Sequence, residues 1–96
     1  MAYVTKVSSN GGDTLFKVDG VGFGSTQGTF SGAVYNTNTG GGLSTASIST
    51  WSDVQITGTL SADYKNPGKL YVKTSFPDNN NAYHPTMTSG RDYTIS

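Results

Sequence analysis

The chain has no cysteine among its 96 residues, so disulfide staples, thiol redox chemistry and thiolate metal sites are excluded. Glutamate is missing too, and the six acids, all aspartate, are balanced by six basic residues. A net charge of zero supplies no field to draw in DNA, RNA or an anionic membrane, so no nucleic-acid partner is expected. No apolar run is long enough to span a bilayer as a helix, and the first residues, Met-Ala-Tyr-Val-Thr, lack the basic and apolar regions of a signal peptide. Membrane insertion is therefore not expected. The chain starts at Met1 and enters an extended pattern almost at once, which favours a free-standing module of one domain, residues 1–96.

What fills the chain instead is glycine, thirteen of them, with serine, threonine and asparagine, while only 33% of residues are hydrophobic. Aromatic residues reach 11%, and without blocks of charge this is the composition of a polar-surfaced β-protein rather than a disordered one. The central stretch is TLFKVDGVGFG, residues 14–24. Phe16 and Val18 share one face of a strand and Lys17 and Asp19 the other. Gly20, Gly22 and Gly24 then leave Phe23 as the anchor of a backbone that other strands can approach closely.

Period-two patterning places further strands at residues 3–7, 28–35, 46–49, 54–60, 69–74 and 92–95. Phe30 and Tyr35 are the large side chains of the third, and Val54, Ile56 and Leu60 face the core from the fifth. Leu70, Val72 and Thr74 alternate with Lys69, Tyr71 and Lys73, the cleanest amphipathic strand in the chain. Tyr93 and Ile95 point one way from the last. Residues 36–44, NTNTGGGLS, form an expected mobile tip, and only residues 61–66 leave room for a helical turn. The predicted fold is an all-β antiparallel sandwich of about seven strands.

Several segments together carry a family resemblance. Gly20-Val21-Gly22-Phe23-Gly24 resembles the G-x-G-F-G signature of the IPT/TIG immunoglobulin-like domains. Val4-Thr5-Lys6-Val7 is similar to that family's opening strand, residues 48–56 (ISTWSDVQI) to its I-x-x-W-S-D-x-x-I segment, and residues 67–72 to its G-x-x-x-V strand. The resemblance spans residues 4–74 and implies an immunoglobulin-like sandwich. Phe16, Val18, Gly22, Phe23, Gly24, Trp51, Asp53 and Ile56 would then be structural residues. It also implies a role in binding rather than catalysis, since such domains occur in surface proteins, receptors and sugar-active enzymes, with related modules on virus particles.

Residues 76–91, FPDNNNAYHPTMTSGR, make a connection longer than a compact domain ordinarily uses, and longer than the resembled family's turn. With Asn80, Tyr83 and His84 this segment is the leading candidate contact surface, joined by Tyr71 and by Leu43 on the 36–44 tip. His84 is the one histidine, and neither a G-x-S-x-G elbow nor an H-E-x-x-H pair accompanies it, so no catalytic residue is assigned and the chain is not expected to be an enzyme. Asp78-Asn79-Asn80-Asn81 offers oxygens to a hard cation, but an Asx-rich turn accounts for the same residues and no metal or cofactor is expected. Trp51 admits two readings, a core or corner plug and a stacking platform for a sugar ring. Tyr35, Tyr64, Tyr71 and Tyr83 fall on polar faces or in loops, where tyrosine serves cross-strand packing or a protein interface.

The expected function is a non-enzymatic module that docks onto a protein in a larger assembly, a phage head decoration or tail accessory protein, which would place it on the virion. The alternatives are a carbohydrate-binding module using Trp51, Tyr64 or Tyr71, with a glycan as partner, and a domain excised from a bacterial cell-surface protein, located at the cell surface or outside the cell.

Overall fold

The computed structural model describes residues 2–9, 14–28, 32–77, 80 and 83–94. Nine strands occur among the described residues: β1 (Tyr3–Ser9), β2 (Leu15–Val21), β3 (Ala33–Thr37), β4 (Leu43–Thr45), β5 (Ser47–Trp51), β6 (Gln55–Thr59), β7 (Gly68–Pro77), β8 (Tyr83–Met87) and β9 (Arg91–Tyr93). All pair antiparallel in two sheets. The first runs β1-β2-β6-β5, and the second runs β4-β3-β7-β8 with β9 also on β7. The chain is thus the all-β sandwich that the alternation of apolar and polar residues predicts.

The expected seven strands become nine at two places. Leu43–Thr45 forms a short strand of its own on β3, and the chain then changes sheet at Ala46, whose N–H still bonds Val34 O at 2.8 Å before Ser47–Trp51 pairs with β6. The second place is residues 76–91, which are not one long loop. β7 continues to Pro77 and turns back into β8, so the segment is largely a hairpin. The expected contributions of Phe30 and Ile95, and the cation reading of Asp78, Asn79 and Asn81, lie outside the described residues.

Burial follows strand parity. Phe16 and Val18 from β2, Ile56 from β6, Val34 from β3 and Leu70 and Val72 from β7 enclose Phe23 in one core. Gly58, which pairs with Phe16, is part of this fit: a Cβ there would lie 2.0 Å from Ser47 O and 2.9 Å from the tip of Phe16. Val54 departs from the expected pattern and is 54% exposed, because it lies in the corner before β6 begins. Tyr93 is buried as the last strand closes, and burial pushes its phenol pKa up.

Three polar residues, Asn36, Thr74 and Ser75, are buried among the described residues. Asn36 is fully buried between β3 and residues 61–66, where its Nδ2 donates to Ser61 Oγ at 2.9 Å and its Oδ1 accepts the Ser61 N–H at 3.1 Å. Thr74 is also fully buried, and its hydroxyl finds no partner among the described residues. The 36–44 tip is a tied turn rather than a mobile one. Asn38 Oδ1 accepts the N–H groups of Gly40 and Gly42, both at 3.0 Å, and its Nδ2 donates to Ser44 Oγ. Ser44 and Ser61 in turn donate to the two oxygens of Asp63, joining the turn to residues 61–66.

β8 and β9 lie end to end along the same side of β7, interrupted at residues 88–90. Thr88 bridges the break, its N–H on Val72 O at 2.9 Å and its hydroxyl accepting the Val72 N–H at 3.0 Å. Hydrogen-bonded pairs alternate along an antiparallel ladder, so Ser75 and Pro85 form a pair without mutual bonds. The Pro85 nitrogen therefore faces the open edge, where it sacrifices no ladder bond.

Candidate functional site

The two sequence motifs meet at one corner. Gly22 and Gly24 take positive φ angles of 77° and 90°, which turn the chain after β2. Asp53 holds that turn, its Oδ1 accepting the Gly24 N–H at 3.0 Å and its carbonyl accepting the Phe23 N–H at 3.1 Å. The Trp51 indole N–H points to the same turn, 3.2 Å from Phe23 O and 3.0 Å from Gly24 O. Its ring meets Phe23 edge-on at 6.3 Å and 64°, and a Cβ on Gly32 would strike it at 2.5 Å. With its donor spent on the backbone and its ring held between Phe23 and Gly32, Trp51 is a corner plug. Tyr64 is likewise packed against the core.

The expected contact residues separate into two regions. Leu43 and Tyr71 lie on the outer face of the second sheet. Register sets Tyr35 directly across from Tyr71, Thr37 across from Leu43, and Lys73 across from both Ala33 and Met87. Leu43 is 44% exposed, whereas Tyr71 is half-covered rather than open: a Cβ on Gly90 would lie 2.8 Å from its ring, so the ring rests over that glycine. Gly90 thus receives the cross-strand aromatic cover that an edge glycine lacks on its own. At the end of this face Thr37, Lys65, Lys69 and Asp92 border an open hollow of about 460 Å³. Lys69 Nζ and Asp92 Oδ1 are 2.7 Å apart, and this bond with its charge raises the lysine pKa and lowers that of the carboxyl. Both side chains are well exposed, so the pair adds little to stability.

His84 lies elsewhere, on the wall of a groove of about 800 Å³ where the two sheets part. Ala2, Tyr3 and Val4 form one side and His84, Met87 and Arg91 the other. Val4 is buried at its base, while Tyr3 and Met87 are 60% and 48% exposed at its rims. All four residues from His84 to Met87 are exposed, although Thr86 pairs with the buried Thr74 on the inward-facing row, so the first sheet leaves this part of β8 uncovered. The Arg91 guanidinium crosses to β1 and donates to Thr5 O. Asn80 is exposed in the turn between β7 and β8, and Tyr83 is placed only by register, opposite Pro77.

Tyr3, Met87 and Arg91 are among the groove residues that strand patterns did not single out. Tyr3 carried one signal, its parity opposite to Val4, which a strand with one buried face turns outward. Among the described residues no three His, Cys, Asp or Glu side chains gather as a metal site, and no helix is long and apolar enough to cross a membrane. No protein-family model, curated protein or solved structure matches the chain.

Proposed function

We propose that the chain is a non-enzymatic docking module, an immunoglobulin-like domain of the IPT/TIG kind that seats on a protein in a larger assembly. The observation that carries this reading is the groove, an apolar-floored cleft whose rims hold two large side chains about half exposed, Tyr3 and Met87. Exposed apolar surface gathered around a cleft is a feature of interaction sites rather than of ordinary surface. The order β1-β2-β6-β5 facing β4-β3-β7-β8 supports the immunoglobulin-like kinship, as it follows the A-B-E-D and C′-C-F-G sheets of that fold. So does the clasp of the G-F-G turn by Trp51 and Asp53.

The assembly we infer is a virus particle, with this domain as a head decoration or tail accessory protein located on the virion. Its test is immunodetection of the chain on particles purified from its source by gradient sedimentation. Co-migration with particles supports the reading, and recovery only in the unassembled or cell-surface fraction overturns it.

A second reading, glycan binding, is favoured by the Tyr35–Tyr71 row beside the polar hollow of Thr37, Lys69 and Asp92. A glycan array decides it: binding lost in Tyr71→Ala supports a sugar site, and a blank array removes it.

A further inference from the structure

We infer that the groove between β1 and β8 takes an extended acidic segment of the partner protein, with an apolar side chain resting on Val4 at its base and a carboxylate meeting Arg91. This rests on the docking reading above and names the partner's chemistry. The base of the groove is apolar at Val4, and its rims are the exposed Tyr3 and Met87. Among the described residues its lining includes Arg91 and His84 but no carboxylate.

The described aspartates are engaged elsewhere. Asp19 accepts from Gln55, Asp53 from Gly24, Asp63 from Ser44 and Ser61, and Asp92 from Lys69. Among the described residues the charged side chain at this cleft is thus the Arg91 cation, which an acidic segment complements and a second copy of the same cleft repels.

The way the segment is held follows from the two strand edges. The Pro85 nitrogen offers no N–H to a passing strand, and Thr5 O on β1 is already taken by Arg91. Ladder addition along either wall is therefore interrupted, and affinity must come from side chains entering the gap. A guanidinium carries five N–H donors, so the bond to Thr5 leaves it able to hold a carboxylate as well.

The experiment screens the full chain against a displayed library of random linear peptides, then measures affinity for the selected peptides made synthetically. The expected peptides pair Asp or Glu with a large apolar residue. Their affinity should fall roughly tenfold or more in Met87→Asp and Arg91→Gln, as for interface hot spots, and should stay unchanged in Lys17→Gln on the first sheet. Raising NaCl from about 0.1 to about 1 M should weaken binding further. Thr86→Asp, exposed on the groove wall, repeats the test if Arg91→Gln melts early through loss of its bond to Thr5.

Selection of no acidic peptide, or binding indifferent to all three groove variants, overturns the inference. Particle association lost in Tyr71→Ser but kept in Met87→Asp also overturns it while leaving docking intact. Peptide binding at the groove by a chain found on no particle upholds the inference and removes the proposed assembly instead.

Discussion

Removing the Trp51 ring separates a corner plug from a ligand platform. Deleting a fully buried large aromatic side chain costs about 3–5 kcal/mol. Trp51 is half-buried, held by Phe23 on one side and Gly32 on another, so the packing loss is set at about 2–3 kcal/mol. The indole N–H shared between Phe23 O and Gly24 O adds about 1 kcal/mol. Trp51→Ala should therefore destabilise the domain by about 3–4 kcal/mol, lowering Tm by roughly 12–30 °C for a chain of this size. Trp51→Phe keeps a ring against Phe23 and loses only the donor, so about 1–2 kcal/mol is expected. Because the substitution removes the chain's one tryptophan, urea and thermal unfolding are best followed by far-ultraviolet circular dichroism. A Trp51→Ala protein within about 1 kcal/mol of wild type would refute the reasoning and restore the ring as a binding surface.

Three further outcomes are expected. Thr74→Val replaces a fully buried hydroxyl that has no partner among the described residues, so it should stabilise by about 1 kcal/mol in urea melts; a loss of similar size would mean that the hydroxyl is bonded. Hydrogen bonds from Ser61 and then Ser44 hold the Asp63 carboxyl below its ordinary pKa, so its contribution is present above the unfolded value and is lost as pH falls through the lower folded one. Melting points taken between about pH 6 and pH 2 should thus fall less steeply in Asp63→Asn, and an unchanged acid limb would count against the link. Asn38→Ala releases the amides of Gly40 and Gly42, so it should cost about 1–2 kcal/mol and speed hydrogen exchange at those two glycines.

Strands with one buried face were legible in the sequence because burial imposes a period of two. Phe16 with Val18 and Leu70 with Val72 announce β2 and β7 in this way, and the register they imply closes the core around Phe23. β8 was not legible for the converse reason: residues 84–87 are exposed on both faces, so no period marks them. Asn36 misled in the other direction. Its polarity suggests a loop, yet it fills a core row with Val34 because Ser61, 25 residues away, satisfies its amide. Leu43 gave too short and too exposed a strand to stand out from the glycines before it. The groove could not be read from local pattern at all, since it is made where Ala2–Val4 meets residues 84–91, and only the tertiary pairing of the sheets brings those segments together.

The outward nitrogen of Pro85 has a bearing on life at high density. Domains crowded on one support bring their outermost strands into repeated contact, and a run of vacant amides there would let neighbours zip into a continuous ribbon. Here β8, one of the edge strands, has a gap in that run at its third position, so a neighbour cannot add to it by an unbroken ladder.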